Sequence, residues 1–304
     1  MSREGVERFA CFGGTCEVRV AGEDGEAAAA RARRRLLAWH DQFTRFTPDS
    51  ELSRLNADPR GAVPASATMI ALAEAVAAAG ARTGGLVDGT LAREIAAAGY
   101  ASAAAGPRRG APLPLALALR FAPRRRPAGP SPHARWRHVG GDPAAGVVRR
   151  PPGVALDSGG LAKGLFADLL ADELAAHPSF VVNCAGDVRF GGTEPRPVRV
   201  ASPFGDTVLH TFALVAGAAA TSGITRRSWL DASGRPAHHL LDPATGAPAF
   251  TGIVQATALA PTALEAEALA KAALLSGPAQ ARAWLPHGGV IVHDDGSHDV
   301  VEPG

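Results

Sequence analysis

The chain has 304 residues, of which 46% are apolar, and its formal net charge is +2. This length and apolar content are sufficient for a large buried core. The small net charge, with no series of aromatic residues among the arginines, argues against a nucleic-acid-binding protein. Residues 1–5 lack an apolar signal core and no apolar run approaches a membrane span, so we expect no membrane span and a cytoplasmic location. Cys11, Cys16 and Cys184 have neither metal-ligand nor redox spacing and are predicted to be buried thiols.

Apolar periodicity predicts a mixture of helices and strands and hence an α+β fold. Residues 16–20 alternate as a strand does, and residues 26–43 and 68–83 have the spacing of amphipathic helices. In the second half, the predicted elements are strands at 180–182, 198–200, 211–215, 253–259 and 289–292 and a helix over 262–275.

Residues 101–152 differ from the rest of the chain in composition. They are rich in proline, carry Arg124, Arg125 and Arg126 in a row, and contain Asp142 as their only acid. We therefore predict that most of this stretch is a mobile surface insertion. Its positive charge could attract an acidic partner or a phosphate, but a solvated loop is the favoured interpretation.

The run from Leu156 to Gly164 reads Leu-Asp-Ser-Gly-Gly-Leu-Ala-Lys-Gly. Residues 153–156 before it are predicted to form a strand, and residues 163–174 after it a helix. A glycine turn in this position offers backbone N–H groups and Lys163 adds a positive charge, a combination that binds anions such as phosphate. A tight connection without a ligand is the alternative.

Two later motifs have a similar character. Thr221-Ser222-Gly223 follows a run of small residues over 213–220 that is predicted to be a buried strand. In the segment 238–246, Asp-Pro-Ala-Thr-Gly predicts a turn, and His239 lies at the end of the strand that enters it. Each motif taken alone is also explained as an ordinary turn.

The order of these motifs resembles that of the FAD:protein FMN transferase family, the ApbE-like flavin transferases. The resemblance runs over nearly the whole chain and rests on residues 12–14 (Phe-Gly-Gly), 49–56 (Asp-Ser-Glu-Leu-Ser-Arg-Leu-Asn), 85–90 (Gly-Leu-Val-Asp-Gly-Thr), 156–164, 183–187 (Asn-Cys-Ala-Gly-Asp), 221–223, 239–246 and 265–271. It implies a single α+β domain over residues 1–304, ApbE-like and T-fold-related. Mixed or antiparallel sheets with flanking helices are expected, with a Pro- and Arg-rich insertion at about 101–138.

The resemblance also implies a reaction. FAD is the donor, and its pyrophosphate is attacked by a Thr or Ser hydroxyl of an acceptor flavoprotein. FMN becomes attached through a phosphoester, and AMP leaves. Such a transfer requires that the pyrophosphate charge be neutralised, which family analogy assigns to Mg²⁺.

The same analogy assigns roles to individual residues. His239 and Glu267 are expected to be catalytic, and the carbonyl of Gly160 and the side chain of Glu267 to ligate Mg²⁺. The expected FAD-binding residues are Phe12, Phe46, Val87, Asp88, Asp157, Lys163, Thr221, Ser222, Gly223 and Leu241.

The closing helix departs from the family pattern. The family's Asp and Thr ligands fall on Glu267 and Lys271, which lie four residues apart and therefore on one helical face. An ammonium group has only donors and cannot ligate a cation. Either Lys271 pairs with Glu267 and places a positive charge where the ion is expected, or the ion shifts and retains water.

Two functions therefore remain open at this stage. The first is an active FMN transferase, which the intact turn and His239 favour. The second is an FAD-binding protein that has lost or weakened transfer, for which Lys271 is the main evidence. A pyrophosphatase that splits FAD into FMN and AMP is intermediate between them.

Overall fold

The computed structural model describes residues 4–100 and 113–303. Eight of the strands in these ranges form one antiparallel sheet, and their order in the sheet follows their order in the chain. We number them β1 to β8: Glu4–Cys11, Gly14–Ala21, Phe180–Cys184, Asp187–Gly191, Gly217–Gly223, Ile253–Ala260, Gly289–His293 and His298–Val301. The predicted α+β fold is confirmed.

The α-helices in the described ranges are α1 Gly25–Phe43, α2 Glu51–Ala57, α3 Ala67–Arg82, α4 Ala92–Ala97, α5 Leu115–Arg120, α6 Ala162–Leu174 and α7 Ala263–Ser276. Short 3₁₀ turns lie at Arg135–His138 and Ala281–Trp284. Side-chain oxygens of Ser50, Ser66 and Thr262 cap α2, α3 and α7, which explains where these helices begin. The four helices predicted from periodicity, α1, α3, α6 and α7, are confirmed to within one residue.

The remaining strands form separate small sheets. They pair as Arg196–Ala201 with Val208–Leu214, Ser228–Leu230 with Pro236–His238, Leu241–Asp242 with Ala247–Pro248, and Val147–Arg149 with both Ala62–Pro64 and Gly140–Asp142. The single strand predicted over 213–220 is wrong, because a turn before Gly217 divides it. The motif at 221–223 therefore lies inside β5 and not after it.

The core lies between the sheet and the helices packed on it. Every residue of β6 is buried, which requires that both faces of the sheet be covered there. Helix α1 packs on β1 and β2, α6 on β3 and β4, and α7 on β5 and β6. Helices α6 and α7 also pack against each other, which brings the turn before α6 next to α7. None of the described helices is long and apolar enough to cross a membrane.

Part of the predicted surface insertion is packed against the rest of the protein. Residues 101–112 lie outside the described residues, but 113–152 contain helix α5, a 3₁₀ turn and two strands. Trp136 is buried and fits against Gly80 and Gly85, where a larger residue would collide with its ring. The prediction of a mobile loop is therefore wrong for residues 113–152, because burial against the rest of the protein outweighs the effect of the proline-rich composition. The three cysteines are buried and free, as predicted.

Candidate active site

A cavity of about 410 Å³ opens beside the turn that precedes α6. Its size lies in the usual range of ligand pockets, roughly 300–1,000 Å³. Its lining includes predicted site residues from distant parts of the sequence, namely Phe12, Phe46, Val87, Asp88, Asp157, Gly160, Lys163, His239, Leu241 and also Lys271. The fold thus brings most of the predicted site residues into one place.

The turn over 157–161 is held open by contacts from elsewhere in the chain. The side-chain amide of Asn56 donates to the Leu156 carbonyl and accepts from the Leu156 N–H, both at 2.8 Å. The strand predicted over 153–156 is wrong, because this side chain takes the place of a neighbouring strand. The Asp157 N–H donates to the Gly89 carbonyl at 2.8 Å, which ties the turn to the 85–90 motif.

Ser158 closes the turn and leaves its glycines available. Its hydroxyl donates to the Phe43 carbonyl at 2.9 Å, and its own carbonyl accepts from the N–H groups of Leu161 and Ala162. Within the described residues, the N–H groups of Gly159 and Gly160 donate to no protein acceptor. Unpaired N–H groups at the start of a helix are suited to an anionic ligand.

Two lysines and two carboxylates form a compact cluster behind this turn. Lys163 contacts Asp187, and its Nζ lies 3.6 Å from Oε1 of Glu267. Lys271 donates to the same Oε1 at 3.1 Å, while the Gly164 N–H donates to Oε2 at 2.9 Å. Burial disfavours the charge of Lys163, but Asp187 and Glu267 outweigh it and raise the pKa of the amine. Lys163 therefore carries a positive charge in the cavity, and Lys271 forms an ion pair with Glu267 beside it.

The cluster does not fit the expected Mg²⁺ site. Oε1 of Glu267 already accepts from Lys271 and lies 3.6 Å from Nζ of Lys163, and Oε2 accepts from a backbone N–H. Over residues 4–100 and 113–303, no group of three or more His, Cys, Asp or Glu side chains could hold a metal ion. Lys271 pairs with Glu267 in the structure, as the first of the two arrangements predicted for it requires.

His239 lines the same cavity and has a ring nitrogen without a partner in the described part of the chain. Its Nδ1 is buried and has no hydrogen-bond partner among the described residues. Burial, with further effects from Arg227, Lys271 and Lys163 among others, lowers the pKa of His239 well below its usual value. The imidazole is therefore neutral and can accept a proton. The adjacent His238 is also buried, with a pKa lowered to about 3, but it packs on Phe250 and does not line the cavity, so we assign it a structural role.

Another part of the cavity lining forms an aromatic and cationic wall. The guanidinium of Arg45 lies 4.5 Å from the ring centre of Phe46 and 4.8 Å from that of Tyr100. Its Nε is 3.5 Å from Oδ1 of Asp157. Tyr100 in turn stacks on Trp229, with ring centres 5.6 Å apart. Flat aromatic surfaces of this kind suit a planar ring system.

Phe12 reaches the cavity from an unfavourable backbone conformation. Phe12 and Gly13 connect β1 to β2 with positive φ angles of 54° and 73°, the pattern of a type I′ turn. Such an angle is uncommon for a residue with a large side chain. Arg227 donates to the Phe12 carbonyl at 3.0 Å, and the ring contacts Phe166 and His40.

Thr221, Ser222 and Gly223 do not line the cavity, so the prediction that they complete its wall is wrong. Their contribution is indirect, because the Thr221 N–H donates to Oδ1 of Asp187 at 3.3 Å and Asp187 holds Lys163. The hydroxyl of Thr221 is paired with that of Thr257 on the next strand. Glu267 also lies behind the lining, where it is 1% exposed.

Sequence reasoning missed Arg45, Tyr100, Arg227 and the partner role of Asp187. Arg45 precedes the predicted Phe46, and Arg227 closely follows the Thr-Ser-Gly motif. Tyr100 is the only tyrosine of the chain, and this rarity could have marked it as a candidate site residue. Asp187 belongs to the 183–187 motif, but only the folded structure shows that it contacts Lys163.

The model of the ApbE family matches residues 12–292. The chain belongs to the ApbE family. A 143-residue segment is 32% identical to the FAD:protein FMN transferase of Treponema pallidum (strain Nichols). That match covers 41% of this chain and only 39% of the relative.

Solved structures of ApbE proteins resemble the whole chain. The ApbE protein of Thermotoga maritima is 24% identical with a TM-score of 0.78, and the match covers 99% of this chain and 97% of that one. The apo form of the flavinyl transferase ApbE of Pseudomonas stutzeri is 20% identical with a TM-score of 0.76, over 99% and 95%. At this level of identity the likeness establishes the fold.

Proposed function

We propose that this ApbE-family protein is an FAD:protein FMN transferase. The observation that carries the proposal is the convergence of the 157–163 turn, two lysines and a neutral His239 on one cavity. Free N–H donors and ammonium groups suit a pyrophosphate, and the wall of Phe46 and Tyr100 suits a flavin ring. The donor is FAD and the acceptor is a Thr or Ser hydroxyl of a flavoprotein.

The transfer is a phosphoryl-type displacement. The acceptor oxygen forms a bond to the phosphorus of the FMN half, and the bond from that phosphorus to the bridging oxygen breaks. AMP leaves with the bridging oxygen, and FMN stays on the acceptor as a phosphoester. The hydroxyl proton passes to a base, for which the neutral imidazole of His239 in the cavity lining is the candidate.

In this mechanism the lysines and the turn bind and orient the pyrophosphate. Lys163 and Lys271 offset its negative charge, and the Gly159 and Gly160 N–H groups donate to its oxygens. An anion in the cavity also favours the protonated form of His239, because it opposes the effect of the neighbouring cations. The base is thus weak in the empty site and stronger when FAD is bound.

The first prediction concerns His239. Replacing it with alanine should lower FMN transfer by about 10²–10⁴-fold and change the Kd for FAD much less, because a general base acts on the attacking hydroxyl. The assay incubates the protein with FAD and an apo-flavoprotein whose mature form carries FMN on threonine. Intact mass measures the FMN adduct, and chromatography measures AMP.

His298→Ala, at an exposed position on β8, is the control and should behave like the wild type. Equal losses of affinity and turnover would make His239 a positioning residue. Release of AMP and free FMN without an adduct would instead identify an FAD pyrophosphatase. Binding without any product would identify an FAD-binding protein that has lost transfer.

A further inference from the structure

The chain contains only two lysines, and both lie in the cavity. Of its 31 Lys and Arg side chains, 29 are arginine, and the exceptions are Lys163 and Lys271. Both ammonium groups lie within 4 Å of the same oxygen of Glu267. An ammonium group is a compact point charge with three donors, whereas a guanidinium is a broad planar fork. A compact cation is therefore placed here and nowhere else in the chain.

Lys271 lies directly against the glycine turn. Its Cε is 3.6 Å from the point that a Cβ on Gly160 would occupy. The side chain is only 11% exposed, and its one hydrogen bond in the described structure goes to Glu267. Two of its three donors therefore remain for a ligand, beside the free N–H groups of Gly159 and Gly160.

The charges around Lys271 oppose a divalent cation at the same place. A dication beside Glu267 would lie within a few ångströms of two ammonium groups, and their repulsion acts at short range in a partly buried site. Arg227 adds a further positive charge to the cavity lining. An anion in the same place is attracted by all three groups, although Asp187 and Glu267 offset part of this attraction.

We propose that Lys271, held by Glu267 against the 159–160 turn, binds the diphosphate of FAD directly, so that the site takes the dinucleotide without a divalent cation. This inference rests on the proposed function, since it concerns the same cavity and the same donor. It extends that function by replacing the ion that the family resemblance implies with a side chain.

The first test compares FAD affinity with and without a divalent cation. Calorimetry in EDTA and in excess Mg²⁺ should give wild-type Kd values within about twofold of each other. Lys271→Met should bind at least tenfold more weakly in both buffers. Lys271→Thr should bind weakly in EDTA and recover affinity in Mg²⁺, because the hydroxyl and the released Glu267 oxygen can then serve as ligands.

Arg282→Met is the matched control, because it removes a positive charge from an exposed position outside the cavity lining. Circular dichroism verifies that each variant is folded. A wild-type protein that binds FAD only in Mg²⁺, or a folded Lys271→Met with unchanged affinity, would overturn the proposal. Failure of FAD to bind in either buffer would overturn this inference and the proposed function together.

The second test follows the two lysines of the wild-type protein and uses a variant only to assign their signals. Protein labelled with lysine carrying ¹³C at Cε should give two side-chain signals, since the chain has two lysines; Lys271→Met assigns them. In EDTA, FAD should shift both signals, and Mg²⁺ alone should shift neither. A shift of the Lys271 signal by Mg²⁺ alone would place an ion beside it and refute the proposal.

The two hypotheses fail in different ways. Binding of FAD in EDTA with no transfer to any acceptor would refute the proposed function but support the hypothesis that the site binds FAD without a divalent cation. Transfer that occurs only in Mg²⁺, with Mg²⁺-dependent binding, would leave the function standing and refute the role of Lys271.

Discussion

The carboxyl group of Asp88, in the cavity lining, lies in an environment that disfavours its negative charge. One of its oxygens accepts from both the N–H and the hydroxyl of Thr90, at 2.9 and 2.6 Å. Burial nevertheless outweighs these hydrogen bonds and raises the pKa of the carboxyl above its usual value. The charged form is therefore less stable in the folded protein than in the unfolded chain.

This gives a pH-dependent prediction for Asp88→Asn. Because the folded pKa is raised, the contribution of Asp88 to stability is complete below the unfolded pKa of about 3.9 and is lost as the pH rises through the folded value. Asparagine keeps an acceptor for Thr90 and does not titrate. The free energy of unfolding of the variant, relative to wild type, should therefore increase between pH 4 and pH 7 in urea titrations.

Asp206→Asn, at an exposed position, is the control and should change little over the same range. The prediction is contradicted if the free energies of unfolding of the wild type and of Asp88→Asn change in parallel with pH. FAD affinity measured on the same samples shows whether the carboxylate also contributes to binding.

The residues of the site divide into those a sequence can predict and those it cannot. Lys163, His239 and Asp88 stand in recognisable motifs, so their position in the cavity was predictable. Arg45 and Arg227 stand in no motif, and their place depends on contacts with Phe46, Asp157 and Phe12 that only the folded chain creates. The occupation of Glu267 by two lysines likewise required the geometry.

At the scale of elements, the close contact between α6 and α7 positions the cluster. A Cβ added to Gly164 would lie 2.6 Å from the Ala263 carbonyl oxygen at the start of α7. Asp168 of α6 accepts from the N–H groups of Ala263 and Leu264 at 2.8 and 2.9 Å. These two contacts fix the helix that carries Glu267 and Lys271 relative to the turn.

We predict that Gly164→Ala separates these helices. The methyl group has no space, so the free energy of unfolding should fall by about 1–3 kcal/mol, and FAD affinity should fall with it because Glu267 and Lys271 move away from the turn. Gly205→Ala, where a Cβ meets nothing within 4 Å, should stay within about 0.5 kcal/mol of wild type. Equal stability of the two variants would show that α6 and α7 can adjust without cost.

Elements with strong internal periodicity were the predictable ones. Helices α1 and α3 follow from apolar spacing. The segment 153–156 was misread because its partner is the side chain of Asn56, which is about 100 residues away. Residues 113–152 were misread because the burial of Trp136 depends on glycines of another segment.

At the scale of the whole molecule, the cavity depends on nearly the complete chain. Its lining runs from Phe12 to Leu275 and includes residues from several helices and loops. No smaller part of the described structure contains all of these residues. Ligand binding is therefore coupled to the global fold and not to a local segment.

FAD should accordingly stabilise the whole protein. At a concentration 100 times its Kd, it should raise the free energy of unfolding by about 2.7 kcal/mol, provided that it does not bind the unfolded chain. Tryptophan fluorescence and circular dichroism should report the same shift in urea titrations. A shift seen by one probe alone would mean that FAD stabilises only part of the fold.

The pairing of β2 with β3 has a consequence for synthesis of the protein. Strand β2 ends at residue 21 and β3 begins at residue 180. At about 5–20 residues per second, a ribosome needs roughly 8–30 s to make the intervening chain. During this interval the edge of β2 that pairs with β3 is open, while α1, which follows β2 directly in the chain, can already cover one face of the hairpin. Open strand edges pair readily with other chains, so this edge of β2 requires a shielding in the nascent chain that β3 provides in the finished protein.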